Sequence, residues 1–278
     1  MNVTVKRTLF GALFLAVMLG GLLINETLYV ILFAFITGVM LHEFYGMTME
    51  KAWKPLQRSG IVMGVLLFLA ANSYFFGVLS LTHLVSLGLL FVFVLMVQSI
   101  FTTRDAGEFL KTGFIYAGLL YVALPLALSN AVVCRSGAFS GLLMIAFFCI
   151  IWASDVGAYC FGMLLGQKVW PAKLCPKISP KKSWAGFIGG GLTALLAGAV
   201  LHWTGLVGIP MIHCLAMAAL MHVTGVFGDL FESLWKRAAG IKDSGNLIPG
   251  HGGLLDRFDS ALFAIPTGFI YLQLFDLL

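Results

Sequence analysis

Nine stretches of about 20 largely apolar residues follow one another along the 278-residue chain, near 8–24, 27–45, 60–78, 80–101, 112–133, 140–163, 184–206, 210–229 and 261–277. Each is long enough, as a helix, to cross a hydrocarbon core of about 30 Å. Lipid offers no partner to an exposed backbone amide, so such stretches must satisfy their own hydrogen bonds as α-helices. Hydrophobic residues make up 60% of the chain and charged residues 10%, well away from the roughly 45–50% apolar usage of soluble domains. The expected fold is all-α: a polytopic transmembrane helical bundle of nine spans, forming a single integral membrane domain over 1–278.

Basic residues orient the bundle. Lys6 and Arg7 put the N-terminus in the cytoplasm, and nine spans then leave only Arg135 of the 17 basic residues on the far side; Lys51, Arg104 and Lys168 all fall inside. The net charge of +5 and pI near 9.0 suit the anionic headgroups of the inner leaflet. No aromatic-interleaved soluble module is present to grip a nucleic acid. A cleaved secretory signal is disfavoured, because no A-x-A-like site ends the first run and a second span follows at once. The five cysteines are dispersed without C-x-x-C spacing, which argues against a disulfide framework or a zinc site.

Polar chemistry is distributed unevenly. Residues 1–133 have short loops and read as scaffold spans, whereas 134–278 hold six of the seven aspartates and two long cytoplasmic connections, 164–183 and 230–260. No upstream counterpart of the C-terminal polar run exists, which weighs against a transporter built from inverted repeats. The glycines Gly189, Gly190 and Gly191 point to close helix packing.

Three blocks carry the candidate chemistry. Asp155 follows the apolar run 144–152, and an acid at that depth costs about 2.5–3.5 kcal/mol on insertion scales, so it marks either a functional path or a snorkelling side chain. Lys181 and Lys182 precede Ser183 and Trp184 at the start of a span. Cations at a helix N-terminus are poorly placed unless an anion such as phosphate binds there or they serve only as positive-inside anchors. The third block runs from Asp229 to Asp259. If the helix continues beyond the eighth span, Asp229, Glu232, Ser233 and Lys236 share one face. Asp256 and Asp259 do the same at the start of the ninth.

Carboxylates without a histidine–cysteine set favour a hard cation, and Mg²⁺ takes one or two of them and completes its shell with water and substrate phosphate. A solvated salt-bridge cluster is the plain alternative. His251 lies in a glycine turn, where Gly252 and Gly253 permit close backbone approach to a ligand.

Together these residues resemble the phosphatidate cytidylyltransferases, or CDP-diacylglycerol synthases. The family signature S-x-x-K-R-x-x-x-x-K-D, then H-G-G-x-x-D-R-x-D, is matched at every fixed position by Ser233, Lys236, Arg237, Lys242, Asp243, His251, Gly252, Gly253, Asp256, Arg257 and Asp259. The blocks around Ser154–Tyr159 and Ser179–Trp184 are similar to that family too. Departures are Ala185, where an acidic or amide residue is common, Ser183 in place of threonine, and Met163 where a basic residue often stands; they bear on fine substrate contacts.

The resemblance implies transfer of CMP from CTP to phosphatidate with Mg²⁺, leaving open a second metal ion, in a multi-pass protein of the cell inner membrane whose active site faces the cytoplasm. It also implies a homodimer among membrane lipids. Metal ligation goes first to Asp229 and Asp256, with Asp243 and Asp259 as second choices. Lys236, Arg237, Lys242 and Arg257 go to substrate phosphates, Ser233 to a hydroxyl contact, and His251 to positioning. Lys181, Lys182 and Asp155 line the opposite wall. The competing activities are a CTP-dependent polyprenol-type lipid kinase and, from a different class, a membrane transporter.

Overall fold

The computed structural model describes residues 3–50, 53–103, 109–135, 137–167, 169–247 and 252–278, with side chains from Thr8 onward. Four residues named above, His251, Lys51, Arg104 and Lys168, lie outside these, as do the side chains of Lys6 and Arg7. All nine apolar stretches lie on helices. The chain divides into two compact units, one of residues 1–140 with 243–257, the other of 141–242 with 258–278.

The first unit opens with α1 (Val3–Leu23), α2 (Glu26–Thr48), α3 (Lys54–Phe75) and α4 (Leu81–Thr102). Polar residues at the breaks start these helices: Leu28 N–H donates to Asn25 Oδ1 at 2.9 Å, and His83 N–H to Ser80 Oγ at 3.3 Å. A 3₁₀ turn at Phe109–Thr112 leads into α5 (Gly113–Gly118), a π turn at Leu119–Ala123 and α6 (Leu124–Val133). The π turn has a local cause in Pro125, which lacks an N–H to donate to the preceding turn; Leu124 N–H instead reaches Leu119, five residues back. Strands β1 (Cys134–Arg135) and β2 (Ala138–Phe139) close the unit's main segment as a short hairpin.

Tyr29, Phe33, Phe44, Tyr45 and Phe68 fill the core of this unit. Several of its buried polar side chains find hydrogen-bond partners, as a low-dielectric interior favours. Tyr29 Oη lies 2.6 Å from Ser129 Oγ, Tyr45 Oη donates to Ile115 O at 3.0 Å, and Asn130 Nδ2 donates to Phe68 O at 3.3 Å.

The second unit contains α7 (Leu142–Leu164), the antiparallel hairpin β3 (Lys173–Cys175) and β4 (Ser179–Ser183), α8 (Trp184–Trp203), α9 (Met211–Ala238) and α11 (Ala261–Leu274). The short α10 (Leu255–Phe258) sits at the division between units. Glycines let α8 approach its neighbours: a Cβ at Gly190 would meet Ser154 O on α7 at 2.8 Å, and one at Gly198 would meet Cys214 O on α9 at 2.8 Å.

The protein is a helical membrane protein in which, among the described residues, seven helices are long and apolar enough to cross a bilayer: α2, α3, α4, the run 109–133, α7, α8 and α9. The fully described part of α1, Thr8–Leu23, is shorter, and α11 has 14 residues, about 21 Å at 1.5 Å per residue. Two connections differ from the sequence reading. The first is partly a β-hairpin, because Ser183 N-caps α8 and Trp184 N–H bonds Ala172 O at 3.0 Å, folding the chain back on itself. The second begins nine residues later than expected, since α9 continues through Ala238 and still buries Leu230, Glu232, Ser233 and Lys236.

Candidate active site

In the second unit the extension of α9 carries Asp229, Glu232, Ser233 and Lys236 down one face, as their spacing requires. Glu232, Ser233 and Lys236 are buried and Asp229 is half-buried. Lys236 Nζ donates to Glu232 Oε2 at 2.9 Å, a buried pair one turn apart. Ser233 Oγ donates to Asp229 Oδ1 at 3.4 Å.

Across from this face, β4 delivers Lys182, whose Nζ lies 2.6 Å from Asp229 Oδ2 and donates to Val226 O at 3.5 Å. Arg237 ties the same two elements together: its Nε donates to Ile178 O in the hairpin turn at 3.4 Å and its Nη1 to Ile241 O at 3.0 Å. The Lys181–Lys182 block and the head of the signature are therefore one structural cluster. Lys181, Arg237 and Lys242 are exposed.

Asp259 joins this cluster from the segment before α11. A Cβ at Gly228 would meet Asp259 O at 2.6 Å, so the glycine before Asp229 allows the two chains to touch. Burial, and then the carboxylates of Asp229, Glu232 and the exposed Asp155, push the Asp259 carboxyl well above the ordinary range, against a hydrogen bond from Ser260 N–H to Asp259 Oδ1 at 2.6 Å. Acids crowded in this way favour a cation that would relieve their repulsion.

The first unit holds the signature's other part. Asp256 Oδ2 accepts from Ser244 N–H at 2.9 Å and Gly253 N–H at 2.8 Å, so the side chain folds its own loop around itself. Gly252 has a φ of +81°, a left-handed conformation, and a Cβ there would meet Asp256 Oδ2 at 2.7 Å. At Gly253 a Cβ would meet Ser244 Oγ and, at 2.6 Å, Glu43 Oε2. Internal packing thus accounts for both glycines. Asp243 and Arg257 are exposed.

Glu43, on the buried face of α2, is the residue that sequence reasoning passed over. It is only 8% exposed, and its carboxylate accepts from Leu254 N–H at 2.9 Å, Leu255 N–H at 2.7 Å and Ser244 Oγ–H at 3.3 Å. The signal was present: Glu43 is an acid inside an apolar span, and the reasoning applied to Asp155 applies equally to it.

The donor chemistry of the cluster, carboxylate oxygens with lysine and hydroxyl neighbours, fits a hard divalent cation. Among the described residues no group of three or more His, Cys, Asp or Glu side chains is placed to hold a metal alone. A cation here would draw the rest of its shell from water and substrate phosphate.

Residues 5–275 match the cytidylyltransferase family. The chain is 34% identical to a phosphatidate cytidylyltransferase of Bacillus subtilis, over 97% of this chain and 98% of that protein. A protein of the same name from Staphylococcus haemolyticus is 32% identical over 94% and 95% of the two chains. One from Haemophilus influenzae is 46% identical over 46% of this chain and 45% of its own. With a match that spans nearly every residue from the first helix to the last, the chain belongs to the cytidylyltransferase family.

Proposed function

We propose that the protein transfers CMP from CTP to phosphatidate, forming CDP-diacylglycerol and pyrophosphate in a Mg²⁺-dependent reaction, with Asp229 and Asp256 each a leading candidate for metal ligation. The observation that carries this reading is the clustering of Lys182, Asp229, Ser233 and Asp259, which joins two sequence blocks 44 or more residues apart into one patch of anion- and cation-binding groups. The full-length relatives carry the name of that activity. Nine spans, a cytoplasmic N-terminus, an active site at the cytoplasmic face of the cell membrane and association as a homodimer belong to the same reading, on the positive-inside argument and the family resemblance.

In the reaction a phosphate oxygen of phosphatidate bonds to the α-phosphorus of CTP, and the bond from that phosphorus to the bridging oxygen breaks, releasing pyrophosphate. The second pKa of a phosphomonoester is about 6, so the attacking oxygen is already deprotonated at neutral pH and no strong general base is required. The work left to the protein is positioning and charge stabilisation. A bound divalent cation supplies neutralisation of the nucleotide phosphates.

Lys182 gives Asp229 a fixed partner and brings a cation to the edge of α9. Arg237 braces the hairpin that presents Lys181 and Lys182. Lys236, seated on Glu232, is assigned to a substrate phosphate. Lys242 and Arg257, both exposed, are assigned to the nucleotide's outer phosphates, Asp243 and Asp259 to secondary carboxylate contacts, and His251 to positioning.

A lipid kinase using CTP would deliver the terminal phosphate instead of the nucleotide. Purified protein is therefore given phosphatidate and CTP labelled either in cytidine or in the γ-phosphate, and the organic phase is counted. The proposed reaction carries cytidine label into lipid and leaves γ label in water. Retention of all cytidine label in water, or γ label in lipid, would refute it.

A further inference from the structure

We propose that Glu43 is a positioning residue of the transfer reaction: from α2 it clamps the loop that carries Asp256 and so fixes how that carboxylate meets its cation. The inference rests on the reading of Asp256 as a cation ligand, but on different atoms. A buried carboxylate is costly unless its oxygens are hydrogen-bonded, and Glu43 accepts three bonds, all from the segment between Ser244 and Leu255. These contacts bridge 201 to 212 residues of chain, so they are not a by-product of local folding.

The loop is shaped to receive this acid. A Cβ at Gly245 would meet Glu43 Oε1 at 2.5 Å and one at Gly253 would meet Oε2 at 2.6 Å, so both glycines admit the carboxylate between two passes of backbone. The same two passes hold Asp256: Ser244 contributes its hydroxyl to Glu43 and its N–H to Asp256, while Gly253 N–H goes to Asp256 and the next two N–H groups go to Glu43. The two carboxylates thus share one loop, Glu43 holding its inner side and Asp256 its outer turn. Moving Glu43 moves the amides that orient Asp256, which is how an outer carboxylate tunes a metal ligand it does not touch.

The test compares Glu43→Gln, Glu43→Asp and Gly245→Ala with the native protein, purified in detergent, and uses Glu50→Gln as a control at an exposed ion pair of the same unit. Two quantities are measured: the Mg²⁺ concentration giving half-maximal rate, and amide hydrogen exchange by mass spectrometry. The Glu43→Gln protein is expected to need about 10- to 100-fold more Mg²⁺, the range found for outer-shell partners of metal ligands. Exchange at Leu254 and Leu255 should accelerate while α3 and α9 stay protected. Glu43→Asp should fall between, and the control should match the native protein.

Unchanged half-saturation and unchanged exchange at Leu254 and Leu255 would overturn the proposal. So would exchange that rises equally throughout the chain, since Glu43 would then serve overall stability. Gly245→Ala keeps the carboxylate but displaces it, since a Cβ there would lie 2.5 Å from Oε1, and this variant should show the same rise in Mg²⁺ requirement and in loop exchange if the Gln protein does not fold. If Asp256→Asn kept full activity, the cation assignment would fall while the exchange result at the loop still decided the role of Glu43.

Discussion

Asp256 is the residue on which the proposed chemistry turns, and its setting explains why an aspartate is needed there. Two backbone N–H groups converge on Oδ2, an arrangement that orients the carboxylate. Asp256→Asn preserves shape but removes the charge, and turnover in membranes that contain the folded protein should fall by at least about 100-fold, the scale of losing one preorganised electrostatic group. Asp259 behaves differently, because burial and three neighbouring acids oppose its charge. Asp259→Asn should therefore raise the melting temperature of the cation-free protein while lowering activity, and a fall in that temperature would contradict the crowding argument. Lys182→Ala should weaken CTP use about tenfold, or 1.4 kcal/mol, measured as kcat/KM; an unchanged value would show that the pair with Asp229 is only structural.

At the scale of elements, what the sequence made legible was periodicity and what it hid was long-range pairing. The face of Asp229, Glu232, Ser233 and Lys236 followed from spacing alone and is present on α9. The nine apolar windows likewise mark helices, since hydrophobic composition is itself the driving force. Spacing could not show that Lys182 reaches Asp229 or that Arg237 reaches Ile178, because these contacts depend on how a hairpin of a few residues folds between two helices. Nor could it reveal Glu43 as part of the signature loop, some 200 residues away; only its cost as an acid in an apolar span hinted at a role. The π turn before Pro125 and the hairpin inside an expected loop were lost for a milder reason, since each is a local hydrogen-bond choice that composition does not encode. The approach of α9 to the segment before α11 yields a test at this scale. Gly228→Ala pushes a Cβ towards Asp259 O, and overpacking of that kind costs about 1–3 kcal/mol, so both thermal stability and activity should drop. Full activity in that variant would mean that the place of Asp259 beside Asp229 is unimportant.

For the molecule as a whole, the signature is read continuously in sequence but is shared between two compact units, with Asp229, Lys236 and Asp259 in one and Asp243 and Asp256 in the other. The residues first regarded as scaffold contribute Glu43 to the loop of their own unit. What unites the account is a divalent cation bound through the signature carboxylates in the presence of nucleotide. The direct measurement is Mn²⁺ binding, followed by electron paramagnetic resonance, to purified protein with CTP. Native protein should bind the ion, and Asp229→Asn and Asp256→Asn should each weaken binding by more than about tenfold. Undiminished Mn²⁺ binding by both variants, in protein shown to be folded, would contradict the central claim.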